Sequence, residues 1–102
     1  MVIYEVNLQP EPQLFEAITR YMLDRHIPQI FETGCFVDIT FERCDEGRLR
    51  TCYRAADRAA LDHYLAVHTA AMRADFIEHF PQGVTVSRAV WEELGQWRAG
   101  GR

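Results

Sequence analysis

Residues 35–56 constrain the fold of this chain more than any other stretch. Cys35, Val37, Ile39 and Phe41 alternate with polar neighbours, and Leu49, Thr51, Tyr53 and Ala55 do the same further on. A two-residue period of this kind belongs to half-buried strands. Asp45-Glu46-Gly47 separates the two runs and fits a three-residue hairpin loop with glycine in the left-handed position. The register imposed by that loop sets Asp38 opposite Arg54, Thr40 opposite Cys52 and Glu42 opposite Arg50. Opposite charges then pair across the strands on one face, and the apolar alternates collect on the other. Turn chemistry and charge pairing agree, so a strand over 35–44 is predicted to pair antiparallel with one over 48–56.

The flanking segments complete the pattern. Val2, Tyr4, Val6 and Leu8 alternate with Ile3, Glu5 and Asn7, predicting a first strand closed by Pro10 and Pro12. Leu14, Phe15, Ile18, Tyr21 and Met22 then recur at helical spacing. Pro28 lacks an N–H and disfavours helical geometry at Ile27, so this helix should break near His26. A further turn over 29–32 would start with Pro28, and Gly34 would close it. Asp57 suits the N-cap of a second helix whose buried stripe is Leu61, Tyr64, Leu65, His68, Met72 and Phe76. Phe80-Pro81-Gln82-Gly83 ends that helix. Val84, Val86 and Val90 share one side of a last strand over 84–91. The order β-α-β-β-α-β predicts an α+β, ferredoxin-like fold, a four-stranded antiparallel sheet with two helices on one face. It forms a single domain over 1–94, followed by a flexible tail over 95–102.

The uncovered sheet face would carry Ile3, Glu5, Asn7, Phe36, Trp91 and the charge pairs of the hairpin. Large apolar groups among paired charges suit neither a core nor a plain solvated surface, so a homodimer through this open face is expected. Composition narrows the remaining partners. The chain has 102 residues and a formal charge of −4 with the two signs interspersed, which leaves no basic stripe for nucleic acid. No apolar run reaches the roughly 18–20 residues that span a bilayer, and the N-terminus lacks the basic start of a signal peptide. Three cysteines without close spacing suit a reducing compartment, and the expected location is cytoplasmic.

Several of these stretches resemble the DUF4286 family of small bacterial proteins of unknown function. The resemblance rests on Val2-Ile3-Tyr4-Glu5-Val6, on His26-Ile27-Pro28 and on Thr33-Gly34-Cys35-Phe36. It continues through Tyr64-Leu65, His68, Met72-Arg73 and Phe80, and covers about residues 1–94. Thr69 and His79 depart from the family's usual alanine and arginine without threatening the fold. The resemblance implies the dimeric α/β-barrel superfamily, whose relatives include cofactor-free quinol-type monooxygenases, haem-dependent enzymes, isomerases and ligand-sensing domains. It therefore implies a fold and a dimer but no particular reaction.

Candidate chemistry centres on a few side chains. His26, at the expected helix end, would be favoured in its protonated form and serve as an acid/base group, although capping the last carbonyls is the commoner role. His68 lies in the apolar stripe of the second helix, where a packed histidine is more usual than a catalytic one. Both histidines come from helices on the same sheet face and could converge as a proton-transfer pair, with Arg73 nearby for an anion. Cys35 follows a helical turn's negative end, which opposes thiolate formation, and reads as a small buried hydrophobe. His63 and His68 stand five apart, about 140° around a helix, and so do not share a face. No metal site and no cofactor are expected, because no His-x3-His or Cys-x2-Cys pair occurs.

Two functions follow. The first is a non-catalytic homodimer that binds a small ligand or a protein partner, with Tyr64, Arg73, Trp91 and Cys35 as ligand-binding residues. The second is a cofactor-independent monooxygenase or isomerase acting on a small aromatic or quinone-like compound, with His26 and His68 moving protons and Tyr64 and Trp91 lining the pocket. A pocket of roughly 300 Å³ or more enclosed by these residues would favour the enzyme, and a filled interior the binding domain.

Overall fold

The computed structural model describes residues 1–100. Four strands, β1 (Val2–Pro10), β2 (Asp38–Arg43), β3 (Leu49–Ala55) and β4 (Val84–Glu92), form one antiparallel sheet in the order β2-β3-β1-β4. The two strands at the chain ends lie side by side, as a split βαβ crossover requires. The hairpin register is as its charges demand: Asp38 faces Arg54, Thr40 faces Cys52 and Glu42 faces Arg50. Both ion pairs form on the open side, Arg50 to Glu42 at 2.6 Å and Arg54 to Asp38 at 3.2 Å. Gly47 takes φ +76° in the loop, the conformation only glycine adopts freely.

Four α-helices cover the other face: α1 (Phe15–Tyr21), α2 (Ile27–Phe31), α3 (Arg58–Val67) and α4 (Thr69–His79). Their breaks differ from those expected. The chain does not stop at His26. A widened π turn over Met22–His26 carries α1 into α2, and Ile27 N–H donates to the Met22 carbonyl. In a regular helix the Pro28 ring would strike the carbonyl four residues back, and widening the turn relieves that clash without ending the helix. The second helix, expected to be continuous, is broken at His68, whose φ −112° leaves the α-helical range. No proline or glycine marks this kink; the β-branched Val67 and Thr69 flank it. Asp57 caps α3 as expected, its carboxylate accepting from Ala60 N–H at 2.9 Å.

One face assignment is reversed. Alternation extrapolated back through 35–37 places Phe36 on the open face, but it is 5% exposed on the helix side, while Val37 is 52% exposed. The strand begins only at Asp38. The left-handed Gly34 and the turn after it reset the alternation, and burying the larger ring is the more favourable outcome. Phe36 joins Tyr4, Tyr53, Leu61 and Tyr64 in one core cluster, while Leu8, Ile18, Tyr21, Met22 and Leu49 form a second. Of the tail expected over 95–102, residues 101 and 102 lie outside the described residues; 95–100 carry no strand or helix, and Leu94 and Trp97 are each 92% exposed. No helix among the described residues is long and apolar enough to cross a membrane.

Candidate functional site

Where the two core clusters meet, the helices stand away from the sheet and leave a half-open cleft of about 220 Å³. Alternation along β1 and β3 directs Tyr4 and Tyr53 into it from the sheet, and α3 and α4 supply Tyr64, Met72 and Phe76. The aromatic rings form a continuous wall: Tyr4 stands 5.8 Å from Tyr53 and 6.3 Å from Tyr64, centroid to centroid. Burial pushes the Tyr64 hydroxyl up to about 12 and raises Tyr53 as well, so both remain neutral donors at neutral pH.

Two cations border this wall. Arg73, on α4, donates from Nη2 to the Tyr4 hydroxyl at 3.2 Å. Arg88 lies on β4 opposite Val6, on the covered side between Val86 and Val90, and also lines the cleft. Among the described residues neither arginine has a carboxylate within ion-pair distance. Sequence reasoning singled out Arg73 and missed Arg88. The signal was present, because Arg88 is the one charged position in the alternation Val84, Val86, Arg88, Val90.

His26 reaches the same cleft from the π turn. Its ring lies 5.6 Å from Tyr21 and 5.8 Å from Phe76, and its Nδ1 is 3.5 Å from the Tyr21 hydroxyl. Burial lowers its pKa to about 4, outweighing the nearby Asp75 carboxylate, which favours the charged form. The expected protonated imidazole at a helix end is therefore replaced by a neutral one, because the helix does not end there and offers no free carbonyls. Tyr21 donates to Asp75 at 2.5 Å, and Arg25 grips the same carboxylate with two bonds of 2.9 Å. The arginine and the tyrosine together hold the Asp75 carboxyl well below its ordinary range. This triad ties α1 and the π turn to α4.

The other sequence candidates are dispersed. Trp91 lies on the open sheet face, 55% exposed, its indole N–H donating to Glu5 at 3.2 Å, and does not line the cleft. His68 and Cys35 also lie outside it, so His26 and His68 do not converge. Instead His68 meets His63, their rings 5.8 Å apart, with Cys35 beside them. The 140° separation of a straight helix does not hold here, because His68 is the residue at which the helix kinks.

The fold recurs in solved structures. A candidate antibiotic biosynthesis monooxygenase from Deinococcus radiodurans superposes with a TM-score of 0.74 at 16% identity, covering 99% of this chain and all of that one. HapK from Hahella chejuensis gives 0.71 at 16% identity, with 99% and 100% coverage. The Mycobacterium tuberculosis protein Rv0793 gives 0.65 at 26% identity, with 93% and 96% coverage. No curated protein matches the chain in sequence. Residues 1–94 match the family described as "Domain of unknown function (DUF4286)", and to that family the chain belongs.

Proposed function

We propose that this protein is a homodimeric small-molecule-binding domain whose helix–sheet cleft takes a flat, largely apolar ligand carrying one anionic or oxygen-rich group. The observation that carries this reading is the aromatic wall facing Arg73 and Arg88, two cations without a carboxylate partner among the described residues. An acidic group on a ligand would supply the missing charge, and a ring would pack on the tyrosines. At about 220 Å³ the cleft is smaller than the roughly 300 Å³ that would favour the enzyme, and it suits a one- or two-ring compound.

A second reading, a cofactor-independent monooxygenase or isomerase of a small aromatic or quinone-like compound, is favoured by the neutral imidazole of His26, ready to accept a proton. The fold shared with the Deinococcus monooxygenase candidate supports it by analogy alone. It rests on His26 without His68.

One experiment serves both readings. Aromatic carboxylates, phenols and hydroquinones are titrated calorimetrically into the protein and then incubated with it in air. Binding of a carboxylate or phenolate, weakened at least about tenfold in Arg88→Gln, is the expected result, since a charge-assisted contact contributes on the order of 1.5–3 kcal/mol. Product formation that disappears in His26→Gln would select the enzyme instead. If no compound in the panel binds or turns over, both readings fall.

The dimer belongs to the same proposal. Ile3 and Trp91 on the open face, and the exposed Leu94 and Trp97 beyond it, are apolar groups that a second copy would cover. The alternating charges of Glu42, Arg50, Asp38 and Arg54 can pair with their own symmetry mates. Sedimentation at micromolar concentration should show twice the 11.9 kDa chain mass; a single species of chain mass would remove the dimer. We assign the protein to the cytoplasm because its three thiols are free and separate, as suits a reducing compartment.

A further inference from the structure

We propose that Cys35, His63 and His68 form a binding site for a borderline-soft divalent cation, with zinc as the first candidate. The thiol sulfur and one ring nitrogen from each histidine all lie within 4.8 Å of one another. Zinc holds sulfur at about 2.3 Å and imidazole nitrogen at about 2.0–2.1 Å, which puts tetrahedral donors about 3.5 Å apart. Closing the site therefore needs about an ångström of movement. His63 is exposed and free to rotate, and it supplies that movement at little cost.

Three further observations support the site. Among the described residues neither the His63 nor the His68 ring has a hydrogen-bond partner, so its nitrogens are available. The Cys35 thiol is engaged only by a long contact to the Thr33 carbonyl, 3.9 Å, and its proton would leave to solvent on coordination. The donor set contains no carboxylate, which favours zinc over magnesium or calcium.

The fold assembles these donors from distant parts of the chain. Cys35 lies in the turn leading to β2, and the two histidines flank the end of α3, brought to one side by the kink at His68. Three protein ligands leave one position of a tetrahedron for water, and the exposed rim gives access to it. The His68 ring also lies nearly parallel to Tyr64, 6.1 Å away. Because Tyr64 lines the cleft, a bound ion would fix one wall of the pocket as well as the kink.

The test uses the full chain, freed of metal with a chelator. Zinc is titrated calorimetrically, and cobalt(II) reports thiolate coordination through its near-ultraviolet charge-transfer absorption. One ion per chain is expected. Cys35→Ser should abolish the cobalt signal. His63→Ala, at an exposed position that leaves the fold intact by circular dichroism, should weaken zinc binding by more than the ~10–100-fold typical of losing a mere supporting contact. Cys44→Ser and Cys52→Ser should change neither reading, and excess magnesium should not compete. Absence of zinc binding, or zinc binding that survives His63→Ala unchanged, overturns the site.

Discussion

Phe36→Ala is expected to lower the free energy of unfolding by about 3–5 kcal/mol, the range for truncating a buried aromatic ring. The ring is 5% exposed and stands 5.3 Å from Tyr53 and 4.9 Å from Tyr64, so its removal opens a void between β3 and α3. Urea denaturation with an unchanged slope would measure the loss. The half-exposed Val37 is the control, and Val37→Ala should stay within about 0.5 kcal/mol. Were the two residues placed as simple strand alternation places them, the effects would be exchanged. An equal or reversed pair of losses would therefore discard the packing described here. Tyr64 also lines the cleft, so the same substitution should loosen that wall and weaken any ligand bound there.

Acidification should destabilise the protein well before its carboxylates titrate. The His26 pKa falls from an ordinary 6.5 to about 4 in the folded state, chiefly through burial. Between these values the unfolded chain binds a proton that the native chain refuses. Stability therefore rises with pH across that window and is lost as pH drops from about 6.5 to 4. The shift corresponds to roughly 3 kcal/mol or slightly more. Below it Asp75 adds a further loss, because its carboxyl is held low by Arg25 and Tyr21 and gives up that stabilisation as pH falls through its folded value. The charged group acting on His26 is Asp75, whose carboxylate Arg25 also holds, and the His79 ring lies tilted against Tyr21 at 4.7 Å. In thermal melts from pH 7 to 4, His26→Gln should flatten the slope between pH 6.5 and 4. A variant that keeps the full wild-type slope would assign the dependence to another group, and the imidazole could not be the buried neutral base of the cleft.

Both predictions concern places where local pattern and tertiary packing disagree. The hairpin was legible because its information is local: loop length fixes register, and every charge and apolar side chain then has one place to go. Asp57, three residues before the amide it caps, was legible for the same reason. Pro28 was read as a break because the loss of its N–H is local, whereas the π turn that accommodates it depends on Met22 and Ile30 being held in the core on either side. The kink at His68 left no glycine or proline to find.

The sequence by itself determined the order of strands and helical regions, the hairpin register, the sheet faces outside Phe36 and Val37, and the family. These follow from side-chain period, turn chemistry and motif spacing, which act over a few residues at a time. Only the tertiary structure decided that Arg88 joins Arg73 at one cleft, that His26 is buried and neutral, and that Cys35 meets two histidines. Each of these depends on the meeting of segments tens of residues apart, and on how deeply each is shielded from water there. No spacing along the chain encodes either.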